Sequence, residues 1–192
     1  ISNPLYELVA FERQPKPNIL LGSSQTGLLT PELISEVSDK TFINMAYGGG
    51  TLPELITTFW ELEKYSDLKE VYIGISFIDF NGSQFRNRIP EALKIKSNPL
   101  NYIFSKSALR STLLIGKSFL LNSPADIGKP DMSASAFWKY QLDETANRFY
   151  SNHSYPADYY LLLKEISTYC TLHKIRLVFF IPPSHVDLQD KV

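Results

Sequence analysis

Two short segments carry residue types that acyl or phosphoryl chemistry would use. Gly22-Ser23-Ser24-Gln25-Thr26-Gly27 directly follows the apolar run Asn18-Ile19-Leu20-Leu21. Asn44-Met45-Ala46-Tyr47-Gly48-Gly49-Gly50-Thr51 follows a second apolar stretch and leads into Leu52-Pro53-Glu54. Three readings compete for the first segment. A phosphate-binding loop needs Gly, four residues, Gly, Lys, then Ser or Thr. Gly22 and Gly27 are spaced correctly, but Leu28 and Leu29 hold the Lys and hydroxyl positions, so nothing would neutralise the phosphates. Nor does Gly48-Gly49-Gly50 supply the third glycine of a dinucleotide fingerprint at the right spacing. The second reading is a nucleophilic serine, exposed where a strand hands over to a helix among backbone N–H groups that stabilise an oxyanion. The third is structural, with Ser23 or Ser24 capping a turn. Glycines in the second segment let the backbone approach a ligand closely and point N–H groups at it.

These segments need a scaffold that brings them together, and the flanking patterns describe one. Asn3-Pro4 opens a short helix to about Arg13, broken by Gln14-Pro15-Lys16-Pro17. A buried strand spans Asn18–Gly22, and Thr30-Pro31 starts a helix through about Val37. Thr41–Ala46 reads as a second strand. Thr51 and Glu54 form a capping-box pattern, with Leu55, Ile56, Phe59, Trp60 and Leu62 on the apolar face that follows. Val71–Ile78 is a third strand, Tyr155-Pro156 opens a long helix, and Arg176–Ile181 is a fourth strand, stopped by Pro182-Pro183. Strands alternating with helices and nearly continuous in apolar residues imply an α/β fold: a parallel sheet inside a three-layer α/β/α sandwich. Residues 82–153 break the alternation and read as a helical insertion between strands three and four, with helices at about 99–121 and 134–149. In such a sheet both glycine-bearing segments lie at the carboxyl edge, where open α/β sheets bind ligands.

Composition narrows the function classes. The 192 residues are 44% hydrophobic and 20% charged with a formal net charge of −1, which suits one globular domain and argues against disorder. A near-neutral balance also argues against a dedicated nucleic-acid binder. The lone Cys170 cannot form an internal disulfide, no Cys/His cluster has zinc-ligand spacing, and no metal or organic cofactor is implied. No apolar run approaches the roughly 18–20 residues of a membrane span. From 84 to 121 seven basic residues, Arg86, Arg88, Lys94, Lys96, Lys106, Arg110 and Lys117, face one acidic residue, Glu91. They form either a solvated helical face or a contact for anionic glycan or lipid headgroups, chiefly through Arg86, Arg88, Lys94 and Lys96. The chain starts at Ile1 and stops at Asp190-Lys191-Val192, inside a charged helix start, as a piece of a longer protein would.

Together the two segments resemble the first two blocks of the SGNH (GDSL-type) hydrolase superfamily, and more narrowly the SGNH-like proteins of bacterial cell-envelope and surface-polysaccharide loci. In that family a strand ends in Gly-x-Ser, which Gly22-Ser23-Ser24 matches with Ser24 as nucleophile. The second block, Asn, four residues, Gly, then often Thr two on, is matched by Asn44, Gly49 and Thr51. The resemblance implies an oxyanion hole from the N–H groups of Ser24 and Gly49. It covers about 17 to 185 and weakens after the second block. In place of the family's Gly-x-Asn-Asp the chain has Gly74 to Asn81, where Ser76, Asp79 or Asn81 stands as a candidate site contact. The family's Asp-x-x-His is missing, since Tyr150, Cys170 and Pro182 precede His153, His173 and His185 by three. His185 follows the fourth strand and is the candidate base, with Asp187 close by in sequence. His153 reads as a loop residue and His173 as a helix-terminal one. A segment beyond Val192 would account for both the absent Asp-x-x-His and the fifth strand normal in the family. The implied activity is ester hydrolysis or O-acyl transfer on acylated cell-surface glycans, in a bacterial envelope setting, with a cytoplasmic location left open. The competing class is a non-catalytic SGNH-like binding or assembly component of envelope polysaccharide export.

Overall fold

The computed structural model describes residues 4–98, 100–103, 109, 112, 113, 116, 133–183 and 186–189. Four strands, β1 (Asn18–Leu21), β2 (Ile43–Asn44), β3 (Glu70–Gly74) and β4 (Arg176–Phe180), form one sheet in the order β2-β1-β3-β4. All three pairings are parallel, with Ile19 against both Ile43 and Val71, and Val71 against Leu177. The chain is therefore α/β with an all-parallel sheet, built as a three-layer sandwich.

The order of the strands decides which face each helix covers. Crossovers between parallel strands are right-handed. The step from β1 to β2 runs one way across the sheet, while those from β2 to β3 and from β3 to β4 run the other way. The first crossover helix, α2 (Pro31–Ser38), therefore lies opposite α3 (Leu52–Leu62) and the Ala157–Leu172 helix. Side chains alternate between faces along a strand, so Ile19, Leu21, Val71 and Ile73 share the face that meets α3. They form one core with Leu8 and Phe11 of α1 (Pro4–Arg13), Leu55 and Phe59 of α3, Ile89 of α4 (Ile89–Ser97), and Ile166. Burying each such aliphatic or aromatic side chain contributes about 1.5–3 kcal/mol. The layer on the other face is thin, for α2 carries no buried residue.

Local signals explain most element boundaries. Thr30 Oγ1 accepts the Leu33 N–H at 3.3 Å, with Pro31 in the first turn of α2. At α3 the Glu54 carboxylate accepts the Thr51 N–H at 3.2 Å, closing the expected capping box. Strand three ends earlier than its apolar run suggests. After Gly74, Ser76 and Asp79 form a second capping box that turns Phe77–Phe80 into a 3-10 helix. The segment between β3 and β4 is helical without a strand among its described residues. Its first helix, α4, lies ahead of the expected 99–121 stretch, of which Leu100–Ile103 is helical and most of the rest lies outside the described residues. Ala134–Tyr140 runs through a π-helical turn, Gln141–Thr145, into Ala146–Ser151. Among the described residues no helix is long and apolar enough to cross a membrane.

The sheet ends differently on its two sides. β2 is a two-residue edge, whereas β4 is a five-residue edge with Phe179 43% exposed and Ile181 beyond it 84% exposed.

Candidate functional site

The chain leaves β1 and β3 in opposite directions across the sheet, and a crevice forms outside the carboxyl ends of two such neighbouring strands. Ser23 and Ser24 follow β1, and Ser76 to Asp79 follow β3, so both stretches flank this point. The second glycine-bearing segment is stitched beside the first. Past β2 the parallel pairing continues, Met45 N–H donating to Leu20 O at 2.8 Å and Tyr47 N–H to Gly22 O at 3.0 Å. A Cβ on Gly50 would lie 3.2 Å from Gly22 O and 3.5 Å from Ser23 Cα, so the two loops touch backbone to backbone.

Ser23 is buried and Ser24 exposed. Neither the Ser24 Oγ nor its N–H hydrogen-bonds to a described residue, and the Gly49 N–H likewise has no described acceptor. Gly49 has φ of 59°, a left-handed backbone that favours glycine. Asn44 has a holding role. Its Nδ2 donates to Thr26 O at 3.1 Å and Leu29 O at 2.7 Å, and its Oδ1 accepts the Ala46 N–H at 2.9 Å. One side chain thus clamps the serine loop to β2. Thr26, fully buried, wedges its hydroxyl between the ends of β1 and β3, and a Cβ on Gly22 or Gly74 would fall 2.1 or 2.2 Å from its Oγ1. That Oγ1 and the buried Gln25 Oε1 have no hydrogen-bond partner among the described residues.

After β3, Asp79 Oδ2 accepts the Ser76 N–H at 2.6 Å and the Ser76 hydroxyl at 2.8 Å. Asp79 is 5% exposed, and burial pushes its carboxyl up to about 6 against the pull of those two hydrogen bonds. Asn81 is a tie between chain segments: its Oδ1 accepts the N–H and hydroxyl of Ser83 and, at 3.2 Å, the N–H of Ser154. Of the three third-block candidates, Ser76 and Asp79 satisfy one another, and Asn81 fastens the start of the helical segment to its end.

Comparison with protein-family models, curated proteins and solved structures finds no match.

Of the histidines, His153 stacks on Phe77 at 5.0 Å between ring centroids, and His173 stacks on Tyr169 at 4.1 Å. Neither is hydrogen-bonded to Ser24. His185 lies outside the described residues, while Asp187 accepts from the Trp138 indole at 3.4 Å. A cavity of about 830 Å³ opens between β4 and the Ala157–Leu172 helix, with Ser76, Phe77, His153, Tyr160, Phe179 and Ile181 in its wall. Neither Ser24 nor Gly49 lines it, and its apolar wall is what a thinly covered edge strand leaves behind. Among the described residues no group of three His, Cys, Asp or Glu side chains could hold a metal ion.

The cations of the basic stretch divide sharply. Arg88 grips the fully buried Glu54 through Nε at 2.6 Å and Nη2 at 2.8 Å, and its own N–H adds a third bond at 2.9 Å. Burial opposes the Glu54 charge, yet these bonds hold its carboxyl below the usual range. Lys96 lies among Glu12, Glu61 and the Tyr65 hydroxyl, on which it also sits cation-over-ring. Arg88 and Lys96 are thus committed to ion pairs within the fold, and Lys94 is exposed. Arg86 reaches the site itself, donating through Nη2 to Gly49 O. The Arg88–Glu54 link was invisible in the sequence, because the two residues are 34 apart and the arginines look like surface charge.

Proposed function

We propose that the chain is a serine-dependent ester hydrolase or O-acyltransferase acting on acylated glycans of a bacterial cell envelope. The observation that carries this reading is the pairing of an exposed Ser24 with two unengaged N–H groups, its own and that of left-handed Gly49, on loops held backbone to backbone at the carboxyl edge. Ser24 Oγ attacks the ester carbonyl, the two amides receive the oxyanion, and an acyl-enzyme forms as the alcohol departs. Water then gives hydrolysis, or a glycan hydroxyl gives transfer.

The second reading, a non-catalytic binding component, is favoured by the lack of a hydrogen bond from His153 or His173 to Ser24, their rings being stacked on Phe77 and Tyr169. Serine is a poor nucleophile without a base, whose assistance contributes about 10²–10⁴ in rate. Treating the full chain with a fluorophosphonate and mapping the adduct by mass spectrometry separates the two. The enzyme reading expects modification at Ser24 and none in Ser24→Ala. Modification at Ser23, or equal modification in Ser24→Ala, overturns it.

A further inference from the structure

Glu54 has a full set of donors. Arg88 supplies two side-chain bonds and a backbone N–H, and Thr51 supplies another N–H. Arg86 stands outside that set, its Nε 3.8 Å from Glu54 Oε1 and so beyond hydrogen-bond distance. Two guanidinium charges therefore face one carboxylate, and the surplus positive charge belongs to Arg86. Its side chain is 55% exposed, with one described hydrogen bond, to Gly49 O. Gly49 adjoins the serine loop, since Gly50 packs on Ser23 Cα. A guanidinium has five donors in a planar fork suited to carboxylate or phosphate, and Arg86 has spent one of them.

We infer that Arg86 is a specificity-determining residue that selects acylated sugars bearing an anionic group, carboxylate or phosphate, near the ester. This rests on the reading of Ser24 and Gly49 as an ester site. On that reading the exposed guanidinium beside the Gly49 loop meets an anionic substituent of the sugar while the acyl carbonyl faces the two amides. A neutral acylated sugar leaves Arg86 solvated and gains nothing from it.

The test uses the full chain with three probes: O-acetylated methyl glucoside, O-acetylated methyl glucuronide, and the glucoside phosphorylated at its primary hydroxyl. Binding is measured by NMR titration of Ser24→Ala protein, and acetate release with the unaltered serine. We expect at least tenfold tighter binding of one of the two anionic sugars than of the neutral one, and the better anion identifies the group read. Arg86→Gln should weaken binding of the preferred anionic sugar at least tenfold more than that of the neutral one, with Arg86→Lys restoring part of the preference. Equal binding of all three probes, or an equal loss for charged and neutral sugars in Arg86→Gln, overturns the inference, the latter showing that Arg86 only holds the Gly49 loop. Absence of acetate release with the anion preference intact would instead overturn the ester-site reading alone.

Discussion

Gly49 and Asp79 show how single residues set the chemistry of this edge. At φ of 59° an alanine in place of Gly49 keeps the amide but strains the backbone by about 1–2 kcal/mol, which the loop relieves by turning the peptide. Gly49→Ala is expected to slow fluorophosphonate labelling of Ser24 by about tenfold while the far-ultraviolet circular dichroism stays native. Unchanged labelling would remove Gly49 from the oxyanion hole. Asp79 carries a different signature. Folding lifts its carboxyl from 3.8 to about 6, so between those values the folded chain keeps a proton that the unfolded chain has released. Stability from this group is therefore largest below about pH 4 and falls as pH rises towards 6, by about 3 kcal/mol at most. In Asp79→Asn the urea midpoint should lose that decline between pH 4 and 6, and a variant with the same slope as the parent would refute the assignment.

Among elements, the end of β1 is the most tightly constrained. The Thr26 side chain occupies the space a Cβ on Gly22 would need, at 2.1 Å. Gly22→Ala must displace Thr26 and with it the serine loop, at a cost of about 1–3 kcal/mol. A lower urea midpoint together with loss of Ser24 labelling is expected, and a variant of parental stability would show that the slot yields freely. Strands β1 and β4 and the capped starts of α2 and α3 were legible in the sequence, because each rests on residues close in the chain. The adjacency of the two glycine-bearing segments depended instead on β1 and β2 being neighbours in the sheet. The shortness of β3 was not read, although Ser76 and Asp79 spell a capping pattern, because Ile75, Phe77 and Ile78 prolong the apolar run. The α4 helix starts ahead of the helical stretches read in the sequence because Pro90, in its first turn, does not by itself say whether it opens a helix or breaks one. The pairing of Arg88 with Glu54 had no local signal at all, being a tertiary contact between an insertion residue and a helix cap.

Taken whole, the molecule is a sheet whose strands meet over very unequal stretches of chain. Ile19 and Val71 pair across 52 residues, Val71 and Leu177 across 106. Doubling a loop adds only about 0.6 kcal/mol of closure entropy, so the longer excursion is a small burden on equilibrium stability. Time is affected more than energy, since distant parallel pairings form slowly. The first three strands, with α1 and α3 between and beside them, can assemble as soon as about 75 residues have collapsed. β4 then arrives last, as the outermost strand and with Phe179 half-covered. In pulsed hydrogen exchange during refolding, the amides of Ile19 to Leu21 and Val71 to Ile73 should gain protection before those of Leu177 to Phe180. Simultaneous protection would mean that the sheet closes in one step. Under the expected order, Ser24 and Gly49 are brought together by a folding event that β4 does not take part in, and the serine loop is in place before the strand at the far edge of the sheet has found its partner.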